Sequence, residues 1–333
     1  MRAAVLERFD QDLVLAELPE PEPGPGELLV RVRAAGLCGT DVKITSGALP
    51  GLELPRVPGH EVAGEVVAAG HGFEAGQRVA VYPLQSCGHC AACRRGDTET
   101  CYEAVRIGFE RDGGLAELVA VPAANLVPFD GGIEFEQAAV AMDAVLTSLR
   151  ALRHRAQAGP GDAVLIVGAG GLGLHGVQIA VADGAAVAVV DPLASHRELA
   201  LRLGAELALA PEQLPDAVKE WRREGVDVAV EFSGSPEGFR AGAEALRPGG
   251  LLVCTGYRPG ADYALDSSRL ALAQLRIEGN RGGRVEHGRE AIAAVAAGEV
   301  EPLIDRVGEL GEVNELLGEL RAGRVTGRVV VRL

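Results

Sequence analysis

The spacing of hydrophobic and polar positions changes character twice along the chain, near residue 135 and near residue 163. Up to about residue 130, short apolar runs are divided by Gly and Pro. "ELLVRVRAAG" (27–36), "EVAGEVVAAG" (61–70) and "QRVAVYP" (77–83) read as strands, with "PEPEPGPGE" (19–27) as a rigid turn before them. From Glu134, "EFEQAAVAMDAVLTSLRALRHRA" places apolar residues at helical spacing with no Gly or Pro. Beyond Ala163 apolar runs alternate with helical stretches. "AVLIVGAG" is a buried strand, and "GLGLHGVQIAVADG" a helix ending at Gly184. "AAVAVVD" is the next strand and "SHRELALRLG" the next helix, followed by the strands "VDVAVEFSG" and "GGLLVCTGY". This βαβ alternation predicts a doubly wound parallel sheet with helices on both faces. "GRVTGRVVVRL" (323–333) returns to strand character. The α/β fold is therefore expected as an insertion, residues 145–283, in a β-rich domain made of 1–144 and 284–333.

Length and composition fit two domains of an ordinary globular protein, 333 residues with 47% hydrophobic and 24% charged. The net charge of −15 argues against nucleic acid or an anionic membrane as partner. No apolar run approaches a membrane span, and "MRAAVLERFDQDLVLAEL" lacks the apolar core of a signal peptide. A cytoplasmic location is expected, and with it reduced thiols.

That expectation changes the meaning of "SCGHCAACRRGDTETC" (86–101), which holds four of the six cysteines. Cys87, Cys90, Cys93 and Cys101 stand at metal-ligand spacing. Four thiolates on a short polar loop can close a tetrahedral structural Zn²⁺ site, and metal can then fold a loop that has little core of its own. The alternatives are unrelated thiols, two disulfides or an iron–sulfur cluster. His89 lies inside the loop and reads as solvated.

Two further segments, "GLCGTD" (36–41) and "GHE" (59–61), carry ligand-type residues between glycines that permit tight turns. "GLCGTD", "PGHEVAGEV", the cysteine lobe, "GFERDGGLAEL" and "VGAGGLG" follow one another in this order over essentially the whole length. The chain thereby resembles the zinc-dependent medium-chain alcohol and polyol dehydrogenases. Phe73 departs from their pattern and reads as a packing change. The resemblance implies a GroES-like catalytic domain beside a Rossmann domain, with the substrate cleft between them. It implies a catalytic Zn²⁺ on Cys38, His60 and Asp143, with Glu61 as intermittent ligand. Asp143 read alone is equally a helix N-cap. Zinc lowers the pKa of a bound alcohol, and the resulting alkoxide gives up hydride. Thr40 stands where relatives keep the hydroxyl that takes the proton, and Lys43 where many have the next relay group, a His. Asp41 reads as orienting a zinc ligand.

Gly168-x-Gly170-x-x-Gly173, between a strand and a helix, is the dinucleotide fingerprint, completed by Gly171 and Leu172. Gly168 permits the turn, Gly170 the approach of the pyrophosphate, and Gly173 the packing of helix on strand. Asp191, at the end of the next strand, is placed to bind the adenosine ribose hydroxyls and to repel a 2′-phosphate, which favours NAD. Its bland reading is a turn residue. Arg328 falls where relatives place a pyrophosphate-contacting Arg, but reads as surface charge. Cys254 reads as a buried strand residue; His71, His154, His175, His196 and His287 read as surface or packing residues, with His196 a ribose candidate.

The expected function is oxidation of an alcohol or polyol by hydride transfer from a zinc-bound alkoxide to NAD, with two zinc ions per chain. Threonine 3-dehydrogenase or a sugar dehydrogenase is the alternative within the class. The rivals outside it are a non-catalytic zinc- and dinucleotide-binding protein and a zinc-free quinone reductase. The family implies a homo-oligomer, dimer or tetramer, acting on a small molecule.

Overall fold

A computed structural model describes residues 1–333 as two compact units. The first comprises residues 1–146, 283–297 and 304–333; the second comprises 147–282 and 298–303. Residues 298–303, inside the range the sequence assigns to the first domain, are held in the second by side chains of the helix Gly173–Ala182. Gln178 bonds the backbone of Glu301 in both directions, and His175 Nε2 accepts the Leu303 amide.

The first unit is built on a mostly antiparallel seven-stranded sheet. Its order is Ile304–Glu309, Arg328–Arg332, Glu27–Leu37, Glu61–Val66, Arg78–Val81 and Leu126–Pro128, with Leu118–Pro122 also paired to Glu27–Leu37. The central strand alternates, burying Leu28, Val30 and Val32 in an apolar cluster with Val62, Val66, Val79, Val81 and Val119. Phe73 packs at the edge of that cluster. Gly36 pairs with Glu61 across the ladder, and a Cβ at Gly36 would lie 2.3 Å from Glu61 Oε2. The glycine therefore gives a buried carboxylate its room.

The second unit is a six-stranded, wholly parallel sheet in the order Leu207–Leu209, Ala186–Val190, Ala163–Val167, Val226–Glu231, Leu246–Cys254 and Arg276–Gly279. The expected doubly wound sheet is thus present. Ala163–Val167 is buried at every position, as a strand covered on both faces must be.

The helical pattern from Glu134 forms a continuous run, but not a uniform one. Phe135–Val140 and Leu146–Leu149 are α-helical; Ala141–Val145 and Arg150–Ala156 are wider π-helical turns. Asp143 lies in the first of these, inside the run, and so is not an N-cap. Single wide turns of this kind are frequent at functional sites.

Candidate active site and metal centres

Cys38 ends the strand Glu27–Leu37 and caps the helix Gly39–Thr45. Its sulfur accepts the Thr40 amide at 3.3 Å, and its own amide donates to Asp41 Oδ2 at 2.9 Å. The tripeptide "GHE" enters the next strand. Gly59, at φ +99°, turns the chain, and His60 follows it against Phe109, ring centroids 5.2 Å apart. Cys38, His60, Glu61 and Asp143 each bring one donor atom within 4.8 Å of the others, and the first three are buried. Cys38 Sγ and His60 Nε2 stand 3.5 Å apart. Two such ligands of one tetrahedral zinc are about 3.5 Å apart. The other ring nitrogen, Nδ1, faces Asp41 Oδ1 at 3.4 Å, so the carboxylate that holds Cys38 also orients His60.

The buried groups of this set shift one another's proton affinities. Burial alone would lower the His60 pKa, but Asp41 and Cys38 outweigh it and hold the imidazole well above its usual value. Burial pushes Glu61 up to about 8, with Arg328 pulling down and Asp143 pushing up. Glu61 Oε2 is buried without a hydrogen-bond partner. A cluster of buried anionic donors with an unsatisfied oxygen is chemistry that a divalent cation completes. Thr40 is half-buried in the first turn of Gly39–Thr45, and Lys43 is half-buried in the last.

The cysteine lobe is a second cluster. Cys90 caps the short helix Ala91–Arg95, accepting the Cys93 amide, and Gly96 ends that helix in the left-handed region. The sulfurs of Cys87 and Cys93, Cys90 and Cys93, and Cys90 and Cys101 are 3.9, 3.5 and 3.8 Å apart. Disulfides need about 2.05 Å and are absent. The edge of a tetrahedral four-thiolate zinc site is about 3.8 Å. The amide of Cys93 and three neighbouring thiols hold Cys90 down at about 6, which favours its thiolate. Glu99, buried beside this lobe, pairs with Arg284 at 3.2 Å.

In the second unit, Gly168 takes φ +87°, and a Cβ on Gly173 would lie 1.9 Å from Gly168 O. That close approach brings the helix Gly173–Ala182 onto the strand Ala163–Val167. A Cβ on Gly170 would meet nothing within 4 Å, leaving its surface open to a ligand. Asp191 Oδ2 accepts the Ala169 amide at 2.7 Å, Oδ1 accepts the Leu193 amide at 2.8 Å, and His196 Nδ1 lies 3.3 Å from Oδ1. Burial would raise this carboxyl, but His196 and the two amides outweigh it and hold it below the usual range. A carboxylate has about four acceptor positions, so Asp191 keeps capacity for a ribose hydroxyl.

Residues 24–131 match the model of the alcohol dehydrogenase GroES-like domain, and 171–297 match that of the zinc-binding dehydrogenases. An alcohol dehydrogenase of Geobacillus stearothermophilus is 34% identical over 341 aligned positions, covering 100% of both chains. The chain belongs to the zinc-binding alcohol dehydrogenase family. An L-threonine 3-dehydrogenase of Pyrococcus horikoshii is 40% identical over 265 positions, covering 74% of this chain and 73% of that one. A cobalt- and zinc-bound thermostable alcohol dehydrogenase of Pyrobaculum aerophilum superposes with TM-score 0.91 at 32% identity, covering 100% of this chain and 99% of that one. Membership makes the protein a dehydrogenase of small molecules. No helix is long and apolar enough to cross a membrane.

Within this family frame the sequence misjudged Arg328, overlooked Ser148, and read His175 as surface or packing without its role. Arg328, read as surface charge, is 5% exposed. Its Nε donates to Glu61 Oε1 at 3.0 Å and its Nη2 to Asp143 Oδ2 at 2.9 Å, so it joins two members of the candidate metal set. Burial would lower its pKa, but Glu61, Cys38 and Asp143 raise it further. Nothing local in "GRVVVRL" announces this, because both partners are more than 180 residues away.

Ser148 goes unnamed in the sequence reading, and His175 is the packing residue whose role the structure adds. His175 is fully buried; the Leu303 amide donates to its Nε2, so Nδ1 carries the proton and donates to Gly171 O at 2.7 Å. Ser148 Oγ donates to Leu172 O at 2.9 Å. A planar trans peptide directs its N–H opposite to its C=O. Holding the Gly171 and Leu172 carbonyls from within the domain therefore aims the Leu172 and Gly173 amides outward, as an anion site requires. Each bond contributes about 1 kcal/mol to stability, which bounds its effect on affinity at roughly fivefold. His175→Phe and Ser148→Ala should each weaken NADH binding by up to about that factor, read by fluorescence titration, with turnover at saturation little changed. Parent-like affinity in both variants would remove them from the site.

Proposed function

We propose that the protein is a zinc-dependent, NAD-linked dehydrogenase oxidising an alcohol or polyol to the aldehyde or ketone. The observation that carries the reading is the convergence of Cys38, His60, Glu61 and Asp143 on one buried point. In this reading Cys38, His60 and Asp143 hold the catalytic zinc, with Glu61 as intermittent ligand, and Cys87, Cys90, Cys93 and Cys101 hold the structural one. When bound, the zinc supplies a Lewis acid that lowers the pKa of the alcohol, and the nicotinamide accepts the hydride.

The chain supplies the rest. Asp41 fixes Cys38 through its amide and His60 through Nδ1, so two ligands share one orienting carboxylate. Arg328 keeps Glu61 and Asp143 from repelling one another across the site. The Thr40 hydroxyl takes the alcohol proton, which passes on through Lys43 on the same helix, the cofactor ribose or water. Asp191 binds the adenosine ribose, while Gly168, Gly170, Gly171, Leu172 and Gly173 receive the pyrophosphate. A dimer or tetramer belongs to the same reading: the outer strand Arg276–Gly279 exposes Ile277, and the neighbouring helix Ser267–Leu272 exposes Leu272 at 84%.

The test is NADH formation by zinc-replete protein over primary and secondary alcohols, polyols, aldoses and threonine, with zinc counted per chain. Threonine belongs in the panel because the Pyrococcus horikoshii relative is a threonine 3-dehydrogenase. Turnover in one group fixes the class. Dinucleotide binding without turnover on any would favour the non-catalytic rival. Asp191→Ser should shift preference toward NADP and also weaken NAD, since the Ala169 amide loses its acceptor. An unchanged NAD/NADP ratio counts against the ribose role.

A further inference from the structure

Beside the four-cysteine cluster lies a second set of donors that shares Cys87 with it and adds two side chains that neither the structural site nor catalysis uses. Cys87, His89 and Glu103 each bring one ligand atom within 4.8 Å of the other two. His89 Nε2 and Glu103 Oε2 are 3.4 Å apart, the separation that nitrogen and oxygen ligands of one tetrahedral zinc adopt, about 3.4 Å. Both side chains face solvent, at 72% and 41% exposure. The chain brings them there by the same device twice: each donor stands two residues after a lobe cysteine, Cys87-x-His89 and Cys101-x-Glu103. Between Cys87 and His89, Gly88 takes φ +77°, turning the backbone so that the imidazole returns beside its own cysteine.

The four sulfurs are not equally accessible. Cys90 and Cys101 are buried, whereas Cys87 and Cys93 are half-buried. A metal ion can therefore reach the sulfur cage only from the side of the half-buried pair. A hydrated cation cannot shed its waters in one step for four enclosed thiolates; it exchanges ligands one at a time, and each intermediate needs donors.

We propose that Cys87, His89 and Glu103 form an entry site that captures zinc from solution and hands it to the four-cysteine cage, with Cys87 as the shared ligand. This rests on the proposed reading of that cage as a zinc site. Zinc binds first through the neutral His89 ring nitrogen, the Glu103 carboxylate and Cys87. Cys90, Cys93 and Cys101 then replace His89 and Glu103, each ligating as the thiolate, and any proton a thiol still holds passes to solvent as it binds. Release follows the same path backwards. The site changes rates in both directions and leaves the equilibrium unchanged.

The test follows metal exchange in the full-length, zinc-loaded protein. Cadmium is added, and its entry is read from the ultraviolet cadmium–thiolate absorption, dominated by the site with four thiolates. Zinc release to a chromogenic chelator is read alongside. His89→Ala, Glu103→Ala and the double variant are compared with the parent and with Glu74→Ala, an exposed acid outside the lobe. The double variant should slow both cadmium entry and zinc release by about tenfold, the scale on which auxiliary metal partners act. Each single variant should slow them in part, and zinc content at equilibrium should match the parent. Parent-like exchange in His89→Ala would overturn the proposal. So would an effect confined to Glu103 that vanishes at high salt, which is attraction by charge alone. Retention of an additional zinc by the parent, lost in the double variant, would show a storage site instead of a hand-over and would overturn it too. If the parent itself gives no four-thiolate absorption and releases no zinc from the lobe, the zinc reading of the cage fails, a result distinct from parent-like rates in a loaded cage.

Discussion

Asp143→Ala should all but abolish dehydrogenase turnover while leaving the zinc of the cysteine lobe in place. Asp143 is the one member of the candidate metal set drawn from the helical run, on the wide turn Ala141–Val145, whereas Cys38, His60 and Glu61 lie at strand ends. Its removal leaves a site too poor in ligands to hold a Lewis acid worth several kcal/mol to the transition state. The expected loss is about 3–4 kcal/mol, two to three orders of magnitude in kcat/KM. Metal analysis should find the loss at one site only. Asp143→Cys separates a ligand role from a purely electrostatic one, because a thiolate binds zinc and accepts only weakly from a guanidinium. Partial activity in the cysteine variant, with none in the alanine variant, identifies a ligand. Full activity in Asp143→Ala would leave Asp143 as no more than a partner of Arg328.

Arg328→Met should strongly destabilise the first unit. It leaves Glu61, fully buried, without its cation and without a new donor. Breaking a buried ion pair from one side costs about 3–5 kcal/mol. The low end applies here, because burial already pushes Glu61 up to about 8 and the acid can stay protonated near neutrality. The pH dependence has a definite sign. A buried acid whose folded pKa exceeds its unfolded value holds a proton that the unfolded chain releases, so stability falls as pH rises from 4.5 toward about 8. Losing Arg328 raises the folded value further, so the deficit of metal-free Arg328→Met relative to the parent should widen with pH. Adding Glu61→Gln should remove that widening and recover part of the loss. Denaturant melts of the three proteins at pH 7 and 9, on either side of the parent value of about 8, check it; a deficit independent of pH would mean that Arg328 acts through packing alone.

Much of this site was legible because its signals are local. Cys38, Thr40 and Asp41 lie within one turn, so "GLCGTD" carries the capping geometry that holds Cys38. The cysteine lobe closes within 15 residues, Cys87 to Cys101, so its spacing pointed to a four-sulfur site, and the structure brings the four sulfurs within 4.8 Å of one another. Gly168 and Gly173 are legible from their spacing, because glycine takes a left-handed turn without steric cost and no side chain fits a 1.9 Å approach. The parallel sheet was equally plain, since strands buried on both faces are apolar without alternation.

Other features had no local signal. The short strands Arg2–Val5 and Ile304–Glu309 lack a strong pattern, and pairing decides them. The return of residues 298–303 to the second unit depends on Gln178 and His175, more than 120 residues earlier. Residue type and spacing within a turn determined which donors, caps and glycines this protein carries, because those constraints act over a few residues of backbone. Only the tertiary structure decided that Arg328 is a buried cation between Glu61 and Asp143, that His175 and Ser148 hold the glycine turn, and that His89 and Glu103 meet beside Cys87. Each of those roles is set by which distant group the fold brings within about 3 Å, where a hydrogen bond or ion pair outweighs solvation.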